Sequence, residues 1–244
     1  MPADAAPPFL LVAELPSAGA KLTLPEDESH YLTRVCRVRP GERATATDGR
    51  GGLGVLRVLE GGRRAVVEVE SCERARPARA AWVLAGAPEG ERGDWMVEKL
   101  AELGVAVFQP IDCERGCWER MKGRSDRWQR LAVAALRQSR RRFLLEVRAP
   151  QWFAEAMAGL PAGAGSWLAD AAGPPAATLT PPREGVAIGL IGPAAGLAPA
   201  ERQVAEARHF RPISLSDSRL RAETAALAWA SWWSGGAAGS PARP

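Results

Sequence analysis

Two stretches in the C-terminal part of the sequence carry the residue types that could take part in chemistry. The first, "GLIGPAAGLAPAE" at residues 189–201, interrupts an apolar strand with a tight turn. Its glycines, Gly192 and Gly196, allow positive φ and a close approach of the backbone to a ligand. The stretch is not a dinucleotide-binding glycine motif, and it has no lysine of the kind that binds nucleoside triphosphates. It predicts a loop that binds a ligand through its backbone, although a purely structural turn explains it about equally well.

The second stretch, "SLSDSRLRAETAALAWASWW", places charged side chains at a strand-to-helix junction. Arg219 and Arg221 precede Glu223, and an alanine-rich helix with three tryptophans follows. The planar guanidinium group suits phosphate and other anions. A terminal helix packed on the core would explain the alanines and the tryptophans. It explains less well why two arginines stand beside a carboxylate, so this junction is the candidate for catalytic side chains.

A run of basic residues between positions 115 and 148 is a third feature, and it contains only three acidic residues. Trp118 and Trp128 are interleaved with it, which is typical of a surface that binds nucleic acid. A solvated helix face is the other explanation, although such faces usually mix both signs of charge. A second basic group, Arg34, Arg37 and Arg39, would allow a two-domain grip on RNA. The basic residues of the run are Arg115, Arg120, Lys122, Arg124, Arg127, Arg130, Arg137, Arg140, Arg141, Arg142 and Arg148.

The composition restricts the classes of protein to which this chain can belong. The chain has 244 residues, 46% hydrophobic and 25% charged, which is typical of a globular protein. Its net charge of +4 comes mainly from arginine and indicates an anionic partner, although a GC-rich coding sequence would also enrich arginine. Four dispersed cysteines and two histidines are too few for a zinc site, so we expect no metal. The sparse cysteines favour a reducing compartment, and no leader or membrane-spanning stretch stands out, so we expect a cytoplasmic protein without membrane contact.

The order of apolar segments predicts two different halves. Short strands between glycine turns, with a helix from about Glu26 to Arg39, predict a small β-barrel in the first 75 residues. A charged, proline-interrupted stretch at 73–81 is the expected linker. From about residue 80, apolar strands alternate with helices, which predicts an α/β domain with a mostly parallel sheet. Ligands of such sheets lie at the carboxyl ends of the strands, where the 192–196 loop falls.

Four helices are expected in this second half. The first follows Asp94, whose side chain could cap it, and ends at Gly104, which suits the left-handed position after a helix. The others are expected at about 126–141, 199–208 and 221–233.

Taken together, these stretches resemble the bacterial 16S ribosomal RNA uridine-N3 methyltransferase family, small-subunit methyltransferase E, of the SPOUT superfamily. The likeness runs in order along nearly the whole chain, and its last motif, with Arg219, Arg221 and Glu223, is the most specific. The matching segments are "HYLTRVCRVRPGE", "ATDG", "MVEKLAELGVAVFQP", "RWQRLAVAALRQSRRRFLLEVRAP", "LIGPAAGLAPAE" and "ISLSDSRLRAETAAL".

The resemblance implies a fold and a cofactor. It implies a PUA-like RNA-binding β-barrel at 1–75, a SPOUT methyltransferase domain with a deep trefoil knot at 80–235, and a flexible tail at 236–244. It also implies a homodimer that acts on 16S ribosomal RNA, within the assembled 30S subunit, with S-adenosyl-L-methionine bound by three knot loops. The cofactor-binding residues would be Leu168, Gly192, Pro193, Gly196, Leu215, Ser216 and Leu220.

The same resemblance suggests roles for the charged residues. N3 of uridine must lose its proton before it attacks a methyl group, so an enzyme should stabilise the uracil anion. Arg221 is the candidate for that role, and Glu223 would orient an arginine or cap the helix. The RNA-binding candidates are Arg34, Arg37, Arg140 and Arg219.

Two alternatives remain open at this stage. Ala194 and Ala195 stand where the family has Glu-Gly, and Ser216 where it has glycine, so the protein could be a non-catalytic RNA-binding SPOUT homologue with a degenerate cofactor loop. A SPOUT enzyme that acts on transfer RNA or on a ribose hydroxyl is the other alternative.

Overall fold

The computed structural model describes residues 6–88, 92–118 and 124–236. Arg120 and Lys122 of the basic run, and the expected tail from 237 onward, lie outside these ranges. The chain divides into two compact units, Met1–Pro77 with Leu136–Leu144 and Ala78–Ala135 with Leu145–Pro244. Each unit has its own sheet.

The first unit is built on a five-stranded sheet. Its strands are β1 (Phe9–Leu11), β2 (Lys21–Thr23), β3 (Arg43–Thr47), β4 (Gly52–Glu60) and β5 (Val66–Arg74). They are ordered β1-β3-β4-β5-β2, and every neighbouring pair is antiparallel except β1 with β3. Alternate side chains of β4 and β5, among them Leu56, Val58, Val67 and Val69, are buried in one core. This alternation is the period of two that a half-buried strand requires.

Helix α1 (Glu26–His30) is shorter than the sequence predicts. It continues as a single π-helical turn, Tyr31–Val35, rather than to Arg39. Arg37 then adopts a left-handed φ of 57°, which no helix can accommodate. The chain turns there, so that Val38 enters the core while Arg34 and Arg37 remain exposed.

Asp48 holds the turn between β3 and β4. Its carboxylate accepts hydrogen bonds from the backbone N–H groups of Arg50 (2.8 Å) and Gly52 (2.9 Å), and Arg74 donates to it at 2.8 Å. Burial alone would raise the pKa of Asp48, but these donors outweigh it and the pKa lies below its ordinary value. The charged form is therefore favoured by folding.

The second unit contains a parallel sheet. Its strands are β6 (Arg79–Ala85), β7 (Val107–Asp112), β8 (Glu146–Val147), β9 (Gln151–Trp152), β10 (Gly165–Ala169), β11 (Gly185–Ile191) and β12 (Arg211–Ile213). The order is β12-β10-β11-β6-β7-β8, with β9 also paired to β7, and each of these pairs is parallel. The predicted α/β class is confirmed, and the carboxyl ends of these strands lie at one edge.

Helices cover both faces of this sheet. They are α2 (Gly93–Leu103), α3 (Ser125–Ser139), α4 (Phe153–Ala158), α5 (Pro199–Ala207) and α6 (Ala222–Gly235). In β11, Ile188 and Leu190 belong to the core cluster with α4 and α5. Gly189 between them faces α6, where a Cβ would lie 2.4 Å from the ring of Trp229. A glycine at 189 therefore lets α6 pack directly on the sheet.

Several expectations about this unit need correction. The linker predicted at 73–81 is shorter, because β5 extends to Arg74 and β6 begins at Arg79. Asp94 does not cap α2, which has no side-chain cap bond. Its carboxylate instead accepts from the indole N–H of Trp128 (2.8 Å) and pairs with Arg127 (2.6 Å). Gly104 has the expected left-handed φ, 80°, after α2.

Gly189→Ala should destabilise the second unit by about 3 kcal/mol, because the added methyl group overpacks the contact with Trp229. Gly235→Ala is the matched control, since an added Cβ there has no neighbour within 4 Å. Thermal unfolding of both variants checks this. Equal midpoints for the two variants would contradict the packing argument.

Asp48→Asn should cost the first unit about 2 kcal/mol at neutral pH, because three donors lose a charged acceptor. A lowered native pKa gives stability that is present above the unfolded value, about 3.9, and is lost as the pH falls through the native value. The difference between wild type and variant should therefore shrink below about pH 4. Unfolding midpoints measured from pH 7 to pH 3 test this, with exposed Glu14→Gln as the control expected to follow wild type.

Candidate functional site

A cavity of about 810 Å³ opens at the carboxyl ends of β10, β11 and β12. Its walls are the segments that follow these three strands and the first turn of α6. All ten residues of the second unit that were predicted to bind the cofactor, act in catalysis or, in the case of Arg219, contact RNA line it: Leu168, Gly192, Pro193, Gly196, Leu215, Ser216, Arg219, Leu220, Arg221 and Glu223. Parallel strand pairing brings these segments, up to about fifty positions apart, to one edge of the sheet.

The loop from Gly192 to Ala198 forms one wall. Gly196 has a left-handed φ of 78°, and its N–H donates to the carbonyl of Pro193 at 2.7 Å. Ala194 and Ala195 do not have positive φ. Alanine at these two positions therefore causes no backbone strain, which removes one reason for suspecting a degenerate loop.

Two glycines outside this loop leave the space that Pro193 occupies. A Cβ on Gly86, directly after β6, would lie 2.4 Å from the backbone nitrogen of Pro193. A Cβ on Gly116 would lie 2.8 Å from the Pro193 ring. Glu201 secures the end of the loop, because its carboxylate accepts from the N–H groups of Ala198 (2.8 Å) and Glu114 (2.9 Å). The loop is thus fixed by backbone contacts that the sequence alone does not reveal.

The segment between β12 and α6 forms the opposite wall. The hydroxyls of Ser216 and Ser218 lie 3.0 Å apart, and the Ser218 N–H donates to the Ser216 hydroxyl. Arg219 reaches across and donates to the carbonyl of Ala194 at 3.2 Å. A serine at 216, where the resemblance has glycine, is therefore part of the local hydrogen bonding of the wall.

Asp170 and Arg202 also line the cavity. Asp170 ends the first of the three cofactor loops that the resemblance implies, 168–170, but the sequence assigned no role to its carboxylate and did not indicate Arg202. Asp170 directly follows β10, and its carboxylate accepts from the N–H of Ala172 (3.0 Å) and from Arg202 of α5 (2.6 Å). The two residues are 32 positions apart. The sequence offers one weak signal for this pairing, namely an acidic residue directly after a strand and a basic residue on a helix nearby.

At the first turn of α6, a buried carboxylate meets an arginine from another helix. Glu223 is 2% exposed, and Arg92, at the start of α2, donates to its Oε1 at 2.8 Å. Arg221 is the N-cap residue of α6, and its carbonyl accepts from the N–H of Ala225 at 2.8 Å. The sequence predicts that Glu223 orients an arginine. The arginine that it contacts is Arg92, which the sequence did not indicate. The helix has no side-chain cap, so the capping role is not observed.

The basic run is not a single surface. Trp118 and Trp128 are 1% and 2% exposed and pack edge-to-face with Phe108, so the prediction that they are available to nucleic acid is wrong. They are buried because β7 and α3 enclose a second-unit core that needs large side chains. Several basic residues pair with acids that lie far away in the sequence, as in the ion pairs Arg127–Asp94, Arg137–Glu28 and Arg142–Glu73.

The RNA-binding candidates of the first unit differ in their surroundings. Arg34 and Arg37 are exposed at the turn after α1. Arg140 has a left-handed φ of 55°, donates to the carbonyl of Pro7 and lies over the ring of Phe9. Arg34 and Arg37 are accessible to a ligand, whereas Arg140 also fastens the N-terminal segment.

Other chemistry finds little support in the described parts of the chain. Within them, no group of three or more His, Cys, Asp or Glu side chains could hold a metal ion. Burial raises the pKa of the Cys113 thiol to about 12, so it is a poor nucleophile. No helix among the described residues is long and apolar enough to cross a membrane.

Comparison with known proteins identifies relatives of both units. A family model described as an RNA methyltransferase domain matches residues 75–234, and one described as an RNA methyltransferase PUA domain matches residues 24–70. A ribosomal RNA small subunit methyltransferase E from Synechocystis is 30% identical over 88% of this chain and 73% of its own length. The crystal structure of such an enzyme from Neisseria gonorrhoeae, bound to S-adenosyl methionine, is 27% identical with a TM-score of 0.82, covering 92% of this chain and 95% of that one.

If the loop binds S-adenosylmethionine, as the sequence predicts, Gly196→Ala should weaken that binding about fivefold, because a left-handed φ costs alanine about 1 kcal/mol and the free loop relieves this strain by leaving the geometry that binding must restore. Gly163→Ala is a close control: its φ is 73°, an added Cβ meets nothing within 4 Å at either position, and Gly163 does not line the cavity. Both variants should lose similar stability, and only Gly196→Ala should lose affinity in calorimetric titration. Equal affinities would show that this loop does not contact the ligand.

Proposed function

The chain belongs to the RNA methyltransferase family that includes ribosomal RNA small subunit methyltransferase E, and we propose that it methylates N3 of a uridine in 16S ribosomal RNA. The methyl donor in this proposal is S-adenosyl-L-methionine. The observation that carries the proposal is the convergence of ten sequence-selected residues on one cavity. The relative from Neisseria gonorrhoeae was crystallised with this cofactor, which supports the choice of donor.

The residues present suit this cofactor. A volume of about 810 Å³ lies within the range of roughly 300–1,000 Å³ that is usual for small-molecule sites. The tight Gly192–Gly196 turn presents backbone rather than long side chains, and the Gly86–Pro193 contact keeps it in place. Leu168, Leu215 and Leu220 supply apolar wall, and the carboxylate of Asp170 suits a cationic ligand.

In this function, the cofactor supplies an electrophilic methyl group on a sulfonium, and the protein must present a deprotonated uracil to it. The guanidinium of Arg221 would stabilise the negative charge that develops on the uracil oxygens as N3 loses its proton. Alignment of N3 with the methyl group by the cavity walls would supply much of the remaining acceleration. Arg219, whose side chain bridges the two walls at Ala194, would contact the RNA phosphate.

The wider organisation is part of the same proposal. We assign RNA contact to Arg34 and Arg37 of a PUA-like domain at 1–75 and to Arg140, whose segment Leu136–Leu144 belongs to the same compact unit, and we assign catalysis to a knotted SPOUT domain at 80–235. We further propose a homodimer that acts in the cytoplasm on RNA within the assembled 30S subunit. The PUA-domain match at residues 24–70 and the exposure of Arg34 and Arg37 support the RNA-contact part.

A non-catalytic RNA-binding homologue is the competing function, and the ordinary φ of Ala195 weakens the case for it. Calorimetric titration separates the two, because only an active enzyme needs to bind S-adenosylmethionine. The function itself is tested by incubating 30S subunits and protein-free 16S RNA with the cofactor, followed by mass spectrometry of the nucleosides. N3-methyluridine is the expected product, whereas a ribose-methylated nucleoside or modified transfer RNA would support the other SPOUT activities.

Arg221→Ala should reduce the rate of methyl transfer at least 100-fold, because removal of one preorganised donor to a developing anion typically costs about 10²–10³ in kcat. Affinity for S-adenosylmethionine should change much less. Single-turnover methylation and calorimetry measure the two effects.

The control for Arg221→Ala is Arg208→Ala, which removes an exposed arginine at the end of α5 that does not line the cavity. It should retain the wild-type rate. If Arg221→Ala also retained it, the assignment of anion stabilisation to Arg221 would be wrong.

A further inference from the structure

Glu223 has one carboxylate oxygen with a donor and one without. Arg92 donates to Oε1, while no described residue donates to Oε2, which is buried. A buried polar atom without a partner costs about 1–3 kcal/mol and calls for an explanation. Four other buried side-chain atoms of the described residues, in Glu28, Arg137, Trp229 and Trp233, also lack a partner, but only Glu223 lines the cavity, so a group that binds there can supply its missing donor.

Two further carboxylates line the cavity: Asp217, which is exposed, and Asp170, which differs from Glu223 in its partners. One of its oxygens accepts from the N–H of Ala172 and the other from Arg202, so both are occupied within the protein. Its hydrogen bonds explain Asp170 as part of the wall. Glu223 thus differs from Asp170 in having a buried acceptor that the described protein leaves unused, as Glu28 has away from the cavity.

Arg92 holds the side chain of Glu223 in place at the first turn of α6. It comes from the start of α2, 131 positions earlier in the chain, and its side chain is 46% exposed whereas that of Glu223 is 3% exposed. The ion pair offsets part of the cost of burying a carboxylate. It also fixes Oε1, so that Oε2 is the oxygen left to accept a proton or a hydrogen bond.

We propose that Oε2 of Glu223 accepts the N3 proton of the target uridine, and that Arg92 is the positioning residue that holds Glu223 for this step. This inference rests on the proposed function and deepens it. Uracil N3–H is a donor that a carboxylate accepts, and proton removal by a positioned base typically contributes about 10²–10⁴ in rate. Glu223 and Arg221 lie two positions apart at the entry to α6 and line the same cavity, so base and anion stabiliser would act on one ring.

The step balances in atoms and electrons. The N3–H bond breaks and its proton passes to Oε2, while the N3 electron pair forms a bond to the methyl carbon. The methyl carbon–sulfur bond breaks at the same time, and its electron pair remains on sulfur, so that a neutral thioether leaves. Glu223 returns the proton to water when the products depart.

The first test is the pH dependence of Glu223→Gln. The variant should lose at least 100-fold in single-turnover rate at neutral pH, and most of this loss should disappear at alkaline pH, where N3 of uridine ionises without a base. Calorimetry should give an S-adenosylmethionine affinity within about twofold of wild type. Glu206→Gln, which neutralises an exposed carboxylate on α5 outside the cavity, should behave like wild type at every pH.

Arg92 is tested by a conservative pair of variants. Arg92→Ala should lower kcat at least tenfold with little change in KM for RNA, and should displace the pH profile of the rate, because the charge beside Glu223 is removed. Arg92→Lys should restore at least part of kcat and of the profile. Arg208→Ala controls for the loss of an exposed arginine.

The results for Glu223→Gln either support or overturn the proposed role of Glu223. A Glu223→Gln rate equal to wild type, or a loss that is the same at all pH values, would overturn the role of Glu223. If that variant does not fold, Glu223→Asp replaces it, and an unchanged pH profile and rate would have the same meaning. Failure of the proposed function is distinguishable, since the wild-type protein itself would then form no N3-methyluridine.

Discussion

Parallel pairing of β10, β11 and β12 is the constraint on which the candidate site depends. Because their carboxyl ends share one edge, the segments that follow them must converge there, although up to about fifty residues separate them. Backbone groups and short side chains then form the walls, while Arg219 connects the second and third segments by reaching Ala194. A protein built this way can bind a ligand with few characteristic side chains.

Close approach of backbone segments determines which positions in and around the loop must be glycine. The path of the loop at Pro193 requires glycine at 86 and 116, and the turn at its far end requires glycine at 196. Ala194 needs no special conformation. A motif comparison gives all positions of such a loop similar weight, whereas steric contact shows that only a few are constrained. This explains why Ala194 and Ala195, which differ from the family motif that the chain resembles, cause no backbone strain.

The charged groups are organised by partners that the fold brings together. Arg127 is neutralised by Asp94, Arg137 by Glu28 and Arg142 by Glu73, so much of the basic run serves structure. At the cavity, the same principle places one arginine on one oxygen of Glu223. The remaining oxygen is buried without a donor, as is Oε2 of Glu28 in its pair with Arg137, but Glu223 lines the cavity, two positions from Arg221.

The sequence by itself determined the features that depend on near neighbours in the chain. Alternation of strands and helices predicted the α/β class, glycine predicted the left-handed position at 104, and ordered motifs predicted the members of the cavity. The tertiary structure decided whatever depends on distant partners: the pairing of Arg92 with Glu223 across 131 positions, the burial of Trp118 and the pairing of Asp170 with Arg202. Local periodicity indicates which face of a helix or strand is buried. It does not indicate which residue packs or pairs with that face, because that partner comes from a distant part of the chain.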